Sequence, residues 1–414
     1  MRVIVLGGGV IGTTAAFELQ DDGHEVTLVE RNSGVGQFTS FANAGLVAPG
    51  HAFAWASPKA PKILLKSLWR NDQAFRFRPS LSPALWGWTM KFLRECTAER
   101  ARINTQHKHR LCTYSRAVMH DITASGKIAY DGSDNGLLFF HRTQQTLDRG
   151  IAHMQILRDL GQEMDILDRD QVAALDPALA PAKEKIAGGI YAKTDGMGDA
   201  HKFTREMAHL FAERGGTLKT GVTVEGFDYE GDRITGVLTS SGRMEADAYV
   251  LAMGIYSPHV AKAVGVNLPI YPVKGYSITF GIAGSNLAPS VGAVDEDNLI
   301  AYSRLGDRLR VTATAEFSGY DDSHKPSDFA VMTRKIRELL PTGADYSRPD
   351  YWAGLRPMTP HGAPYLGKAG YSNLYLNTGH GHIGWTMACG SARITRDLVA
   401  GRKPEIDMTG LTLQ

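Results

Sequence analysis

The chain has 414 residues, 43% of them hydrophobic and 21% charged, a composition that describes a folded globular protein and excludes a disordered one. A formal charge of +2 gives no reason to expect nucleic acid as a partner. Three scattered cysteines, Cys96, Cys112 and Cys389, exclude a disulfide framework and leave no spacing that suits a metal. The length predicts about two or three structural units. No run approaches the ~18 apolar residues of a membrane span, and no apolar leader precedes the first strand, so a cytoplasmic protein is expected, at most peripheral on the inner face of the cell membrane.

The first element is a β-prone run, Val3 to Leu6, followed by a glycine turn, a helical pattern over Ile11–Leu19 and a second strand over Glu25–Val29. Together these make a βαβ unit. The section from His51 to Lys183 reads as mostly helical. After it come a helix in "HKFTREMAHLFAERGG" and a β-meander that ends in a buried strand before Ser257. Strands are predicted again between Asn267 and Phe317, then a helix in "PSDFAVMTRKIRELLP", and the end reads as strand, glycine loop and helix. The fold class expected is α/β, a Rossmann-like nucleotide domain with an inserted α+β domain built on an antiparallel sheet. Residues 1–58, 188–264 and 346–414 are assigned to the nucleotide domain, and residues 59–187 and 265–345 to the substrate domain.

Between the first strand and helix stands Gly7-x-Gly9-x-x-Gly12, and Glu30 ends the next strand. The first glycine permits the tight turn, the second lets backbone approach a pyrophosphate at the helix N-terminus, and the third lets helix and strand pack closely. Glu30 would accept hydrogen bonds from adenosine ribose hydroxyls and repel a 2′-phosphate, which favours FAD or NAD over NADP. A second glycine cluster, Gly379 to Gly384, again separates a strand from a helix. An extended flavin cofactor needs such a second contact, since a helix N-terminus stabilises negative charge on the reduced ring. In "WAGLRPMTPHGAP", Trp352 to Pro364, proline and glycine fix the backbone around one permanent cation, Arg356, whose planar fork of donors suits a carboxylate. A buried ion pair with a protein acid is the alternative for that arginine.

These segments, with "TSFANAG" at Thr39–Gly45, "VLAMGIYS" at Val250–Ser257, "YPVKGYS" at Tyr271–Ser277 and "NTGHGHIGWTMACGS", resemble in order and spacing the FAD-dependent D-amino-acid oxidase superfamily. Within it the chain is most similar to the small subunits of bacterial D-amino-acid dehydrogenase, over nearly its whole length. The resemblance implies noncovalent FAD, because no cysteine matches the attachment position of the sarcosine oxidase branch. It places Gly7, Gly9, Val10, Ile11, Gly12, Glu30, Arg31, Thr39, Ser40, Asn43, Ala44, Gly45, Leu46, Val224, Ala252 and Gly254 around the cofactor. Gly381, Ile383, Gly384, Trp385 and Thr386 fall to the flavin's pyrimidine side. Arg356 would bind the substrate carboxylate, and Tyr276 and Tyr302 are candidates to orient the substrate. His380 and His382 read as loop or core residues and not as bases.

The reaction implied is oxidation of a Cα–H bond beside an amine by hydride transfer to flavin N5, with electrons passed on to a quinone or other carrier. His361 stands where relatives carry an acid, and Tyr302 and His51 also depart from the usual residues. If Tyr302 and His51 line the pocket, a cyclic substrate such as D-proline or hydroxy-D-proline becomes plausible. The alternatives are a glycine- or sarcosine-type oxidase using dioxygen, and a flavin electron-transfer subunit without its own substrate. The segment Lys59–Leu93 mixes Lys and Arg with Trp, Phe and Leu. That pattern suits a membrane or partner surface, and equally two amphipathic helices covering a domain.

Overall fold

A computed structural model describes residues 1–67, 75–78 and 80–413. Six strands form the nucleotide sheet in the order Tyr365–Lys368, Leu374–Thr378, Ala248–Leu251, Arg2–Leu6, Glu25–Val29 and Thr217–Lys219. All neighbours run parallel except the edge strand Tyr365–Lys368. These strands read as continuous apolar runs because both faces are covered. Val3, Val5, Val26 and Val250 pack under the helices Val10–Asp21, Ala200–Glu213 and Gly384–Val399. Ile4, Leu6, Tyr249 and Leu251 pack under the meander that starts at Val224.

A second, mixed sheet is built mainly from the rest of the chain. Its order is Asp345–Met358, Tyr271–Gly281, Arg308–Phe317, Ile300–Leu305, Gly292–Asp295, Leu137–His141, Gly188–Ala192 and Met164–Asp168, and Phe75–Phe77 pairs onto Arg308–Phe317. One face is covered by the helix Ala330–Leu339, through Met332, Ile336 and Leu339, and by the turn around Leu179. The opposite face looks toward the nucleotide domain, where Ser303 Oγ donates to Ala44 O and Arg310 donates to Asn43 O.

Three expected boundaries need correction. Gly188–Ala192 and Asp345–Met358 belong to the second sheet, although 188 and 346 were expected to open nucleotide-domain segments. The long helix Ala98–Thr123, expected in the substrate domain, packs Val118 and Met119 against the nucleotide-domain helices. The middle section is also less helical than its periodicity suggests, since Leu137–His141 is an interior strand with every residue buried. A short, fully apolar run cannot be told from a buried helix by pattern alone.

Of the segment Lys59–Leu93, residues 68–74 and 79 lie outside the described residues. The helix Pro83–Arg94 buries Leu85, Trp88 and Phe92 against the second sheet and leaves Trp86, Met90 and Leu93 exposed, beside a fully exposed Leu81. It covers the domain and still presents an apolar outer flank.

Candidate active site

One elongated cavity runs along the C-terminal ends of the parallel strands, the usual place for a ligand in such a sheet. Its wall includes Gly7 after the first strand, Glu30 after the second, Ala252 after Ala248–Leu251 and Asn377 at the end of Leu374–Thr378.

At the fingerprint, Gly7 has φ +108°, a conformation open to glycine, and its missing Cβ would stand 2.6 Å from Ala252 O. A Cβ on Gly12 would overlap Gly7 O, so this glycine serves packing and does not face the cavity. Gly9 borders the cavity and opens the helix, whose first N–H groups have no intrahelical acceptor. Glu30 is nearly buried and accepts from Gly8 N–H at 2.7 Å and from Asn32 N–H at 2.8 Å. Arg31 stacks over Tyr256, with its guanidinium carbon 4.0 Å from the ring centroid. Ser40 Oγ accepts from Val10 N–H, and Thr39 Oγ1 donates to Leu355 O, which ties this loop to the strand that carries Arg356.

Of the residues named from sequence, Val10, Ile11, Asn43, Ala44, Val224, Gly254, Gly381, Gly384 and Trp385 also border the cavity. Gly45, Leu46, Ile383 and Thr386 do not border it, and the contacts they make are with the surrounding chain. Gly45, at φ +71°, passes close to Ser303 and Gly198. Thr386 Oγ1 accepts from Ala48 N–H at 3.0 Å and donates to Leu46 O at 3.4 Å, while Ile383 packs with Leu111 and Met387.

Three polar side chains of the C-terminal wall end in buried atoms that have no partner among the described residues. They are both amide atoms of Asn377, Nε1 of Trp385 and Nδ1 of His382. Buried polar groups are normally hydrogen-bonded, so a polar ligand in this cavity accounts for them. The glycine cradle, Glu30 and these three side chains fit FAD. Sequence reasoning missed Asn377, although it directly precedes the second glycine cluster.

Arg356 lies near the end of the strand Asp345–Met358, whose Met358 bridges to His380 of the glycine loop. Its Nη1 donates to Thr314 O at 3.0 Å. Thr314 sits at φ +66° where the register slips between Lys274 and Tyr276, so a strained bulge turns this carbonyl toward the guanidinium. Among the described residues no acid pairs with Arg356, which sets aside the ion-pair alternative. Burial lowers its pKa to about 10, so it stays cationic at neutral pH. His380 and His382 are held neutral by burial, His380 down to about 3. His382 stacks on Trp55 with centroids 4.6 Å apart.

The strand register decides which side chains share a face with Arg356. Gly275 pairs with Gly354, and a Cβ on Gly275 would overlap the Arg356 guanidinium, so residues 275, 354, 356 and 352 look into the cavity. Tyr276 pairs with Ala353 and points to the other face. There its hydroxyl donates to Glu316 Oε2 at 2.9 Å and its ring meets Phe329 edge-on at 5.4 Å. It borders the cavity, but its side chain belongs to the core under Ala330–Leu339. Burial and then Glu316 hold its phenol proton on far above the usual range. Tyr302 is fully buried in the same core and does not reach the cavity. The substrate-orienting role expected of both tyrosines is thereby corrected to packing. Tyr276→Phe is expected to lower stability by about 1–3 kcal/mol, since it leaves a buried carboxylate short of a donor, and to leave KM in place. Thermal melting and steady-state kinetics together check this; a raised KM with unchanged melting would return Tyr276 to the site.

The comparisons with known proteins agree with this geometry. The family of FAD dependent oxidoreductases matches residues 2–398. D-amino acid dehydrogenase 2 of Mesorhizobium japonicum is 48% identical over 412 residues, covering 99% of each chain. A D-amino acid dehydrogenase of a Methylobacterium species is 43% identical, covering 98% of this chain and 97% of its own. Among solved structures, glycine oxidase from Geobacillus kaustophilus superposes with a TM-score of 0.79 at 23% identity, covering 100% of this chain and 98% of its own. L-proline dehydrogenase from P. horikoshii gives 0.74 at 17% identity, covering 97% and 94%; at such identities the likeness is one of fold. A glycine cradle that fits a dinucleotide, a second glycine loop with partnerless polar atoms and a whole-length family match lead to one statement: the chain belongs to the FAD-dependent oxidoreductase family.

Proposed function

We propose that the protein is an FAD-dependent D-amino-acid dehydrogenase that removes the Cα hydrogen of its substrate as hydride, turning the Cα–N single bond into an imine, and passes the two electrons on to a carrier such as a quinone. The observation that carries this is Arg356, a half-buried cation without an acidic partner among the described residues, facing the cavity beside the second glycine loop. The relatives named D-amino acid dehydrogenase, similar over the whole chain, support the substrate class.

FAD, when bound, supplies the two-electron acceptor. The chain's own residues do the rest. Arg356 takes the carboxylate with two parallel donors, and the Thr314 carbonyl holds the guanidinium in place. Among the described residues Glu30 is the only acid that borders the cavity, and it is engaged at the fingerprint end, so none of their carboxylates stands near Arg356 to pair with a substrate ammonium. The amine therefore reacts in its neutral form, whose lone pair becomes the second bond of the imine. Neither His380 nor His382 acts as a base, because burial keeps both neutral. Fixing the substrate in a reactive geometry is the main contribution, worth roughly 7–11 kcal/mol in favourable cases.

His51 and Tyr302 were the grounds for expecting a cyclic imino acid. Neither borders the cavity: His51 Nε2 lies 3.0 Å from Glu296 Oε1, and Tyr302 is core. We accordingly favour the broad class of D-amino acids with neutral side chains. No helix among the described residues is long and apolar enough to cross a membrane. The exposed flank of Trp86, Met90 and Leu93 is our candidate face for meeting a lipid surface or the electron carrier.

The test is anaerobic flavin bleaching by a panel of D- and L-amino acids that includes D-proline and cis-4-hydroxy-D-proline. Bleaching by D-amino acids alone is the expected result; a yellow protein that nothing bleaches would overturn the reading. The pH profile is a second check. The rise of kcat/KM with pH should follow the amine pKa of each substrate, with no fixed inflection between about pH 5 and 8 where a histidine would titrate.

A further inference from the structure

We propose that Trp352 is the residue that selects among substrates, by walling the place where the substituent on Cα must go. This rests on the proposed function. Trp352 borders the cavity on the same face of the sheet as Arg356, four residues before it in the same strand. Two glycines make that arrangement possible. A Cβ on Gly354 would overlap the six-membered ring of the Trp352 indole, and a Cβ on Gly275 would overlap the Arg356 guanidinium. Gly275 and Gly354 are directly opposed across the two strands. Cβ positions of opposed residues stand about 4.5–5.5 Å apart, so indole and guanidinium lie side by side at about that spacing. Any side chain at either glycine would force them apart.

An α-amino acid held by its carboxylate on Arg356 therefore places its Cα within reach of the indole. Oxidation requires the Cα–H bond to face the electron acceptor, which leaves the amine and the side chain to share the remaining two directions. A rigid aromatic wall on one of them admits one enantiomer and limits the length of its side chain. The indole is apolar, and its neighbours on this face that border the cavity are Thr312, Gly275 and Gly354. Arg310, further along the face, does not border the cavity and is engaged with Asn43 O and Thr279 Oγ1, so among the described residues no second cation stands beside the indole to receive a side-chain carboxylate. The substrates selected are amino acids with short, uncharged side chains.

The experiment uses the purified holoenzyme with an artificial dye as acceptor and compares D-alanine, D-phenylalanine and their L-enantiomers. For Trp352→Ala the ratio of kcat/KM for D-phenylalanine over D-alanine should rise at least about tenfold, and the preference for D over L should fall by a similar factor. Trp352→Phe, which restores an aromatic wall, should return both ratios most of the way to wild type. FAD absorbance and thermal melting confirm that each variant is folded and loaded, and Trp352→Leu replaces the alanine variant if that one fails to fold. A folded, FAD-loaded variant with both ratios unchanged overturns this inference alone. A wild-type enzyme that reduces the dye with no D-amino acid overturns the proposed function and this inference together.

Discussion

Arg356→Ala is expected to lower kcat/KM for any D-amino acid by roughly 30- to 4,000-fold, the effect of about 2–5 kcal/mol when one partner of a desolvated charge pair is removed. FAD should stay bound, because the fingerprint and the C-terminal loop are untouched. Arg356→Lys keeps a charge but loses the fork that can serve a carboxylate and the Thr314 carbonyl at once, so it should fall between wild type and alanine. A companion variant separates position from charge. Gly275→Ala alters no charge, yet its methyl would occupy the volume of the guanidinium, so KM should rise while Arg356 remains. Steady-state kinetics with D-alanine and the flavin spectrum of each variant check all three. Wild-type kinetics in Arg356→Ala would remove the carboxylate clamp from the account.

The two fingerprint glycines should fail in different ways when each is replaced by valine. Gly9 has φ −72°, which any residue adopts, and its Cβ would have Ser40 Oγ at 3.4 Å as its nearest neighbour, an ordinary contact. Gly9→Val should fold and melt cooperatively, yet be colourless, because the branched side chain projects where a pyrophosphate would lie. Gly12 has no such room: a Cβ would overlap Gly7 O and stand 3.3 Å from Ala252 Cβ. Gly12→Val forces helix and strand apart, an overpacking that typically costs about 1–3 kcal/mol and more where backbone must move, so it should be poorly folded as well as colourless. The FAD-to-protein ratio by absorbance and the melting transition by circular dichroism distinguish the two outcomes. A yellow Gly9→Val protein would contradict the fingerprint reading.

Much of this site is written in short, local patterns. Gly7, Gly9 and Glu30 stand within one βαβ unit, where strand and helix periods and the turn glycine are set by neighbouring residues, so their grouping needs no knowledge of the rest of the fold. Arg356 was legible for a related reason: prolines and glycines around one cation mark a fixed backbone. The tyrosines were not. Tyr276 and Tyr302 alternate with their neighbours as strand residues should, but a period of two says only that successive side chains oppose each other, not which face a cavity will occupy. The pairing of Gly275 with Gly354 settles that, and those residues are far apart in the chain.

The remaining corrections have the same origin. That Asp345–Met358 joins the second sheet, and that Ala98–Thr123 leans on the nucleotide-domain helices, depends on which surfaces meet across long sequence separations. Thr386 and Gly45 hold the loops in place without facing the cavity, for reasons that appear only when Ala48 and Ser303 are brought beside them. By itself the sequence determined the α/β class, the glycine cradle with its acid, and a single cation on a backbone fixed by proline and glycine, because each follows from backbone constraints within a short segment. Only the tertiary structure decided that Arg356 lacks an acidic partner among the described residues, that Tyr276 turns away to Glu316, and that Trp352 stands beside the guanidinium, because each depends on register and burial between strands that the chain keeps apart.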